Sequence, residues 1–139
     1  MAVNKIEQYL IDLMVTYKEV ADNLWLLDDE EYGMEGVVIM YADPVVIFRV
    51  LVMEAPQEHR LELFTKLLEL NASDVVHGAY ALEGDRVILS DTLEYVTMDY
   101  EEFRATLEAF SLALTQHYPL LSPYRIGHTV IEHNPPGGA

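Results

Sequence analysis

The sequence predicts an α+β domain in which helices pack on an antiparallel β-sheet, with the element order α-β-β-β-α-β-β-α. Three observations carry this. Three segments repeat apolar residues at helical spacing. Short runs rich in valine and isoleucine lie between turns built from Gly, Pro and Asp. The chain has 139 residues, 51% of them hydrophobic, which suits one folded domain and not a disordered chain.

Residues 3–22 read as the first helix. At roughly 100° per residue, Ile6, Tyr9, Leu10, Leu13, Met14, Tyr17, Val20 and Ala21 gather on one arc, while Glu7, Gln8, Asp12, Lys18 and Glu19 take the other. Ile11 and Val15 break the polar side, four residues apart and stacked on each other. Residues 24–27 are a short apolar run closed by the acidic turn Asp28-Asp29-Glu30-Glu31-Tyr32-Gly33. Residues 36–41 and 45–53 follow, separated by Ala42-Asp43-Pro44. Their β-branched content and turn punctuation make the three runs a meander, with Pro44 in a turn because it cannot donate to a ladder.

Ala55-Pro56 opens a second helix that reaches about Asn71, with proline at the first helical position. Leu61, Phe64 and Leu68 form one stripe on it, and Leu63, Leu67 and Leu70 form another. Together they cover roughly 180°, against the roughly 100° needed to face one core. One sheet covers one stripe, so the other is expected to meet a second subunit, and Leu63, Leu67 and Leu70 are the expected dimer seam. Residues 75–82 and 86–93 form a hairpin across Glu83-Gly84-Asp85. Asp99 caps a third helix, with Glu102 at capping-box spacing. Phe103, Leu107, Phe110 and Leu114 form its core stripe, and Pro119 ends it. Residues 1–121 thus make one domain. Residues 122–139 are an extension, expected to be irregular, whose Asn134-Pro135-Pro136-Gly137-Gly138 reads as a loose tail.

Composition excludes several function classes. Eight basic residues face 24 acidic ones, for a formal net charge of −16. Such a surface repels a nucleic acid backbone, whose binding depends on Lys and Arg displacing counterions, and it repels anionic membranes. It favours encounter with basic partners. No apolar run reaches the roughly 18 to 20 residues needed to span a bilayer, and polar residues interrupt the first segment where an export signal would be continuous. With no cysteine, disulfides, thiolate nucleophiles and cysteine-bound zinc are excluded. A cytoplasmic location is expected.

A search for chemistry finds little. His59, His77, His117, His128 and His133 never show the i, i+4 spacing around a glutamate that marks a zinc protease. Asp28, Asp29, Glu30, Glu31 and Glu35 run almost consecutively, without the alternation of a calcium loop. Nucleophile-elbow, Walker and dinucleotide patterns are missing. No catalytic residue, metal or cofactor is expected. Binding features are stronger. Residues 45–52 are apolar on both strand faces save Arg49, and Trp25, Tyr32, Met34, Met40, Tyr41, Phe48 and Met53 crowd the same region. Aromatics and adaptable methionines suit protein-binding surfaces, although most strand positions of this kind alternate into a core. Ile11, Val15, Trp25, Met40 and Phe48 are the candidate partner-binding residues.

A resemblance supports the same direction. Leu67-Leu68-Glu69-Leu70-Asn71 leads into the glycine-containing strand Gly78-Ala79-Tyr80-Ala81-Leu82, the turn Glu83-Gly84-Asp85, the strand Arg86-Val87-Ile88-Leu89 and a closing helix that ends in Gln116-His117-Tyr118-Pro119-Leu120-Leu121. Over roughly residues 3–121 this resembles the type III secretion chaperone-like superfamily (the Tir chaperone-like fold), especially its YbjN-like branch. The resemblance implies helices on a strongly curved antiparallel sheet, a homodimer, and a non-enzymatic module that holds a segment of a protein partner along apolar patches. The alternative it leaves open is a YbjN-like regulatory or scaffold protein in signalling or stress response that holds no client.

Overall fold

The structure, a computed structural model, describes residues 4–125. Helix α1 (Lys5–Leu13) starts where the Asn4 side chain accepts the Ile6 N–H at 2.6 Å, and it stops at Met14, whose φ of +60° closes the last turn. The first helix is therefore shorter than expected. Instead of continuing to residue 22, the chain turns through Val15 and Thr16 into strand β1 (Tyr17–Ala21). This strand pairs antiparallel with β2 (Leu24–Asp29), Tyr17 opposite Leu27 and Glu19 opposite Trp25. Lys18, Glu19, Val20 and Ala21 are exposed, so β1 lacks the apolar alternation that would announce a strand. Tertiary pairing overrides a helix-like pattern here.

β3 (Met34–Ala42) and β4 (Val45–Glu54) complete a four-strand meander, one strand more than the sequence suggested. Helix α2 (Arg60–Ser73) follows a five-residue link and begins four residues later than the Pro56 start expected from sequence. Arg60 donates to Asp85 at 2.7 Å, and the Ala55 N–H reaches the Asp85 carbonyl at 2.7 Å, so the link is tied to the turn between β5 (Ala79–Glu83) and β6 (Arg86–Glu94). Gly84 opens that two-residue turn at φ +61°, a conformation that suits glycine. Helix α3 (Tyr100–Gln116) carries the complete capping box, with Asp99 and Glu102 bonded reciprocally to each other's backbone N–H at 2.8 and 3.1 Å. Pro119 does not end the helical path. It sits in the first turn of α4 (Tyr118–Leu121), which leads to a 3₁₀ turn at Ser122–Tyr124, so the start of the expected irregular extension is ordered. Leu121 is buried, and Arg125 donates to the Val52 carbonyl at 3.1 Å, beside the irregularity that frees it from the β4–β6 ladder. The rest of that extension, with His128 and His133, lies outside the described residues.

The six strands form one antiparallel sheet in the order β1-β2-β3-β4-β6-β5. Register aligns Trp25, Ile39 and Phe48 across three strands, and Val50, Leu89 and Tyr80 across another three. These side chains share one face and meet Ile6 and Leu10 of α1, Leu63, Leu67 and Leu70 of α2, and Phe103, Leu107 and Phe110 of α3 in a single core. Phe48 lies at its centre, 5.4 Å from the Phe103 ring and 6.4 Å from Phe110. Burying a side chain of this size contributes about 1.5–3 kcal/mol.

Candidate protein-binding surfaces

Because strand side chains alternate, a sheet with all its buried contacts on one face presents its other residues to the opposite side. Here that side is apolar. One row runs Leu24, Met40, Ile47 and Thr92 across four strands. The next runs Leu26, Val38, Arg49 and Ser90, and a third joins Leu51, Ile88 and Ala81. Met40 is 39% exposed and Leu51 43%. No helix contributes to these rows, and the chain spends no core residue on them except Ile88. A dent of about 270 Å³ opens on this face, lined among others by Val38, Arg49, Leu51 and Ile88. Two cations line the dent, Arg49 within the second row and Arg86 at its edge, each neutralised in place: Arg49 pairs with Glu83, and Arg86 lies 3.6 Å from Glu54.

A second apolar surface lies where α2 passes the edge strand β5. A groove of about 350 Å³ is lined by Phe64, Leu67, Leu68, Asn71, Tyr80 and Leu82; Leu68 is 68% exposed, and Leu61 on the same helix is 80% exposed. The Asn71 amide makes both hydrogen bonds that a neighbouring strand would offer Tyr80, accepting its N–H at 2.8 Å and donating to its carbonyl at 3.1 Å. The Tyr80 hydroxyl is 2.7 Å from Nδ1 of buried His117, whose Nε2 is 3.4 Å from the Asp74 carboxylate. Burial pushes the Tyr80 phenol up to about 12, opposed by Arg125 and assisted by Asp74. The phenol is thus neutral at physiological pH, and the contacts running from Asp74 through His117 hold Tyr80, which lines the groove.

The sequence-predicted residues divide between core and surface. Leu63, Leu67 and Leu70 were the expected dimer seam, but all three face the sheet, at 0%, 5% and 5% exposure. Of the other stripe, Leu61 and Leu68 stand outside, while Phe64 is half-buried against the core. Val15, Trp25 and Phe48, expected at a partner surface, are buried in the core as well. Ile11 and Met40 are exposed, Ile11 on the outside of α1 and Met40 on the open sheet face. The open-face residues Leu24, Leu26, Val38, Ile47, Leu51 and Ile88 escaped sequence reasoning. Their signal was present, since apolar residues occupy both parities of β2, β3 and β4, but parity does not say which face the helices will cover.

Among the described residues, no group of three His, Asp or Glu side chains is arranged to hold a metal ion. No described helix is long and apolar enough to cross a membrane. No curated protein matches the chain. Among solved structures, a chain of the heterodimeric ExoU–SpcU complex from the type III secretion system of Pseudomonas aeruginosa superposes with a TM-score of 0.69 at 18% identity, covering 85% of this chain and 98% of that one. YbjN from E. coli, a putative transcription regulator, superposes at 0.61 with 19% identity, covering 86% and 93%. A chain of the ExsC–ExsE complex superposes at 0.52 with 12% identity, covering 84% and 93%. These likenesses establish a shared α+β fold with a six-stranded antiparallel sheet. The profile of CesT_Tir_1, a family of secretion chaperones and not of enzymes, matches residues 1–126, and the chain belongs to that family.

Proposed function

We propose that this protein is a chaperone-like binding module that holds an apolar segment of a partner protein on its open sheet face, works as a homodimer, and acts in the cytoplasm. The observation that carries the reading is the uncovered apolar face of the sheet, with Met40, Leu51, Val38 and Ile47 on a rigid scaffold. Contiguous exposed apolar area on a domain of this size marks an interaction site, and an extended segment suits a pleated surface. Family membership supports the same reading. The net charge of −16 argues against nucleic acid as the partner.

The dimer seam is assigned to the α2 stripe of Leu61, Phe64 and Leu68, of which Leu61 and Leu68 are exposed and Phe64 is half-buried. Leu68→Glu is expected to convert a dimer to a monomer in light scattering with the circular dichroism unchanged, because the position is exposed. Leu63→Glu should instead unfold the chain, since it buries an unpaired charge. A wild-type monomer would refute the seam.

For the partner surface, tagged protein and a Met40→Glu/Leu51→Glu variant are compared in pull-downs from native lysate, followed by proteolysis of whatever is retained. The reading expects wild type to retain a protein through one protease-resistant segment and the variant to lose it. Equal retention by the variant would sink the reading. A retained partner that stays folded throughout, with no protected segment, would favour the regulatory alternative.

A further inference from the structure

The partner segment can be characterised further from the electrostatics around the open face, an inference that rests on the binding reading above. The antiparallel register brings three chain reversals to one end of the sheet: the β2–β3 turn, the end of β4 and the β5–β6 turn. That end carries Asp28, Glu30, Glu31, Glu35, Glu54, Glu83 and Asp85, all exposed. Arg49, Arg86 and Arg60 engage Glu83, Glu54 and Asp85. Asp28, Glu30, Glu31 and Glu35 make no ion pair among the described residues, and the sequence has no Lys or Arg from residue 19 to residue 48. The links at the opposite end of the sheet bring Asp22, Asp43, Glu94 and Asp99, with Lys5 seated over the Tyr95 ring at 4.6 Å.

The turn that carries these carboxylates is held in place, and Asp28 is itself hydrogen-bonded to it. Asp29 turns inward and accepts the Thr16 and Tyr32 N–H groups at 2.7 and 3.2 Å, while Asp28 accepts the Gly36 N–H at 2.8 Å. The Ser111 hydroxyl donates to the Tyr32 carbonyl, and Gly33, at φ +66°, sits so close to Thr115 that an added Cβ would lie 2.6 Å from its methyl. Gly36, which anchors Asp28, also lines the dent on the open face together with Val38 and Leu51. The apolar rows therefore run directly into the fixed acidic end. Four uncompensated carboxylates repel one another, and a cationic ligand relieves that repulsion without the turn having to reorganise.

We propose that the segment bound on the open sheet face alternates apolar residues along its length and ends in a cluster of Lys or Arg that lies over the β2–β3 turn. Met40 and Gly36 are four residues apart on β3, so the apolar part needs to span about 14 Å, four or five extended residues.

The test uses two labelled synthetic peptides. Both alternate leucine and threonine over about seven residues; one ends in four lysines and the other in four glutamates. At low salt the lysine peptide is expected to bind at least about tenfold more tightly, with the gap closing at high salt. Glu30→Lys/Glu31→Lys should abolish the preference, and Leu51→Glu should weaken both peptides. Equal affinities would overturn the charge inference and leave the surface assignment standing. A preference that survives Glu30→Lys/Glu31→Lys would place the cationic end elsewhere and also overturn it. Binding that survives Leu51→Glu but is lost in Leu68→Glu would move the ligand to the α2 groove. Failure of both peptides to bind would refute this inference and the binding reading together. A Leu51→Glu change from dimer to monomer would make the face a seam between copies and refute it as a partner surface.

Discussion

Asp29 is the one buried carboxylate among the described residues, at 7% exposure, and its position explains why the acidic turn keeps its shape. It bridges the start of β1, through the Thr16 N–H, to the β2–β3 turn, through the Tyr32 N–H. The Thr16 hydrogen bond holds its carboxyl below the usual carboxylate range and outweighs the upward push of burial. A lowered folded-state value means that the unfolded chain takes up the proton first as pH falls. Stability from Asp29 is therefore full above the unfolded value of about 4 and drains away as pH drops through the depressed folded value. Asp29→Ala is expected to lose about 1–3 kcal/mol at neutral pH by leaving two N–H groups without their acceptor. Urea denaturation at neutral and acid pH checks this. The difference between wild type and variant should shrink at low pH, and a difference that holds constant would remove the carboxylate's charge from the explanation.

At the scale of elements, Met14 decides where α1 stops. It is 84% exposed and holds φ +60°, a left-handed conformation that costs a residue with a Cβ about 1–2 kcal/mol. Met14→Gly is expected to stabilise the protein by about 0.5–1 kcal/mol, the strain relief being partly offset by a freer unfolded chain. A rise in the urea midpoint with unchanged slope checks it, and a fall would mean that the Met14 side chain contributes packing. The same residue shows why this boundary was not legible in sequence. Met14 lies on the apolar arc of a helical pattern, and nothing local distinguishes a helical Met from one that ends a helix. Strand β1 was missed for a related reason, because beyond Tyr17 both of its faces are solvated and a strand with no buried face carries no period-two signal. The capping box at Asp99 and the hairpin turn at Gly84 were legible because their chemistry is local. The two stripes of α2 were legible as a pair, but which stripe faces the sheet depends on how the link at residues 55–59 rotates the helix. The open face suffered likewise. Residues 45–52 announced two apolar sides with Phe48 and Leu51 on opposite ones, but only the packed helices decide that Phe48 is buried and Leu51 exposed.

The whole molecule carries a charge of −16 in 139 residues, and that charge works against the compact state. Folding gathers carboxylates that the unfolded chain holds farther apart, most densely at Asp28, Glu30, Glu31 and Glu35, none of which finds an ion-pair partner among the described residues. The pairs that do form are exposed, such as Arg104 with Glu101 at 2.7 Å and Lys66 with Glu69 at 4.0 Å, and exposed pairs contribute little. Salt should therefore stabilise this protein, since screening removes repulsion faster than it weakens those few attractions. The Debye length falls from about 30 Å at 0.01 M to about 3 Å at 1 M. A melting temperature that rises by about 3–6 °C over that range would correspond to about 1 kcal/mol of relieved repulsion for a domain of this size. Salts that strengthen apolar burial raise melting temperatures too, so the rise alone does not identify its cause. The two effects separate on pH. Relief of self-repulsion must shrink toward the isoelectric point of about 4.4, where the net charge is zero, whereas salt acting on apolar burial persists there. A sodium chloride series at neutral pH and again near the isoelectric point distinguishes them, and a rise of the same size at both would show that self-repulsion is not what limits the stability of this fold.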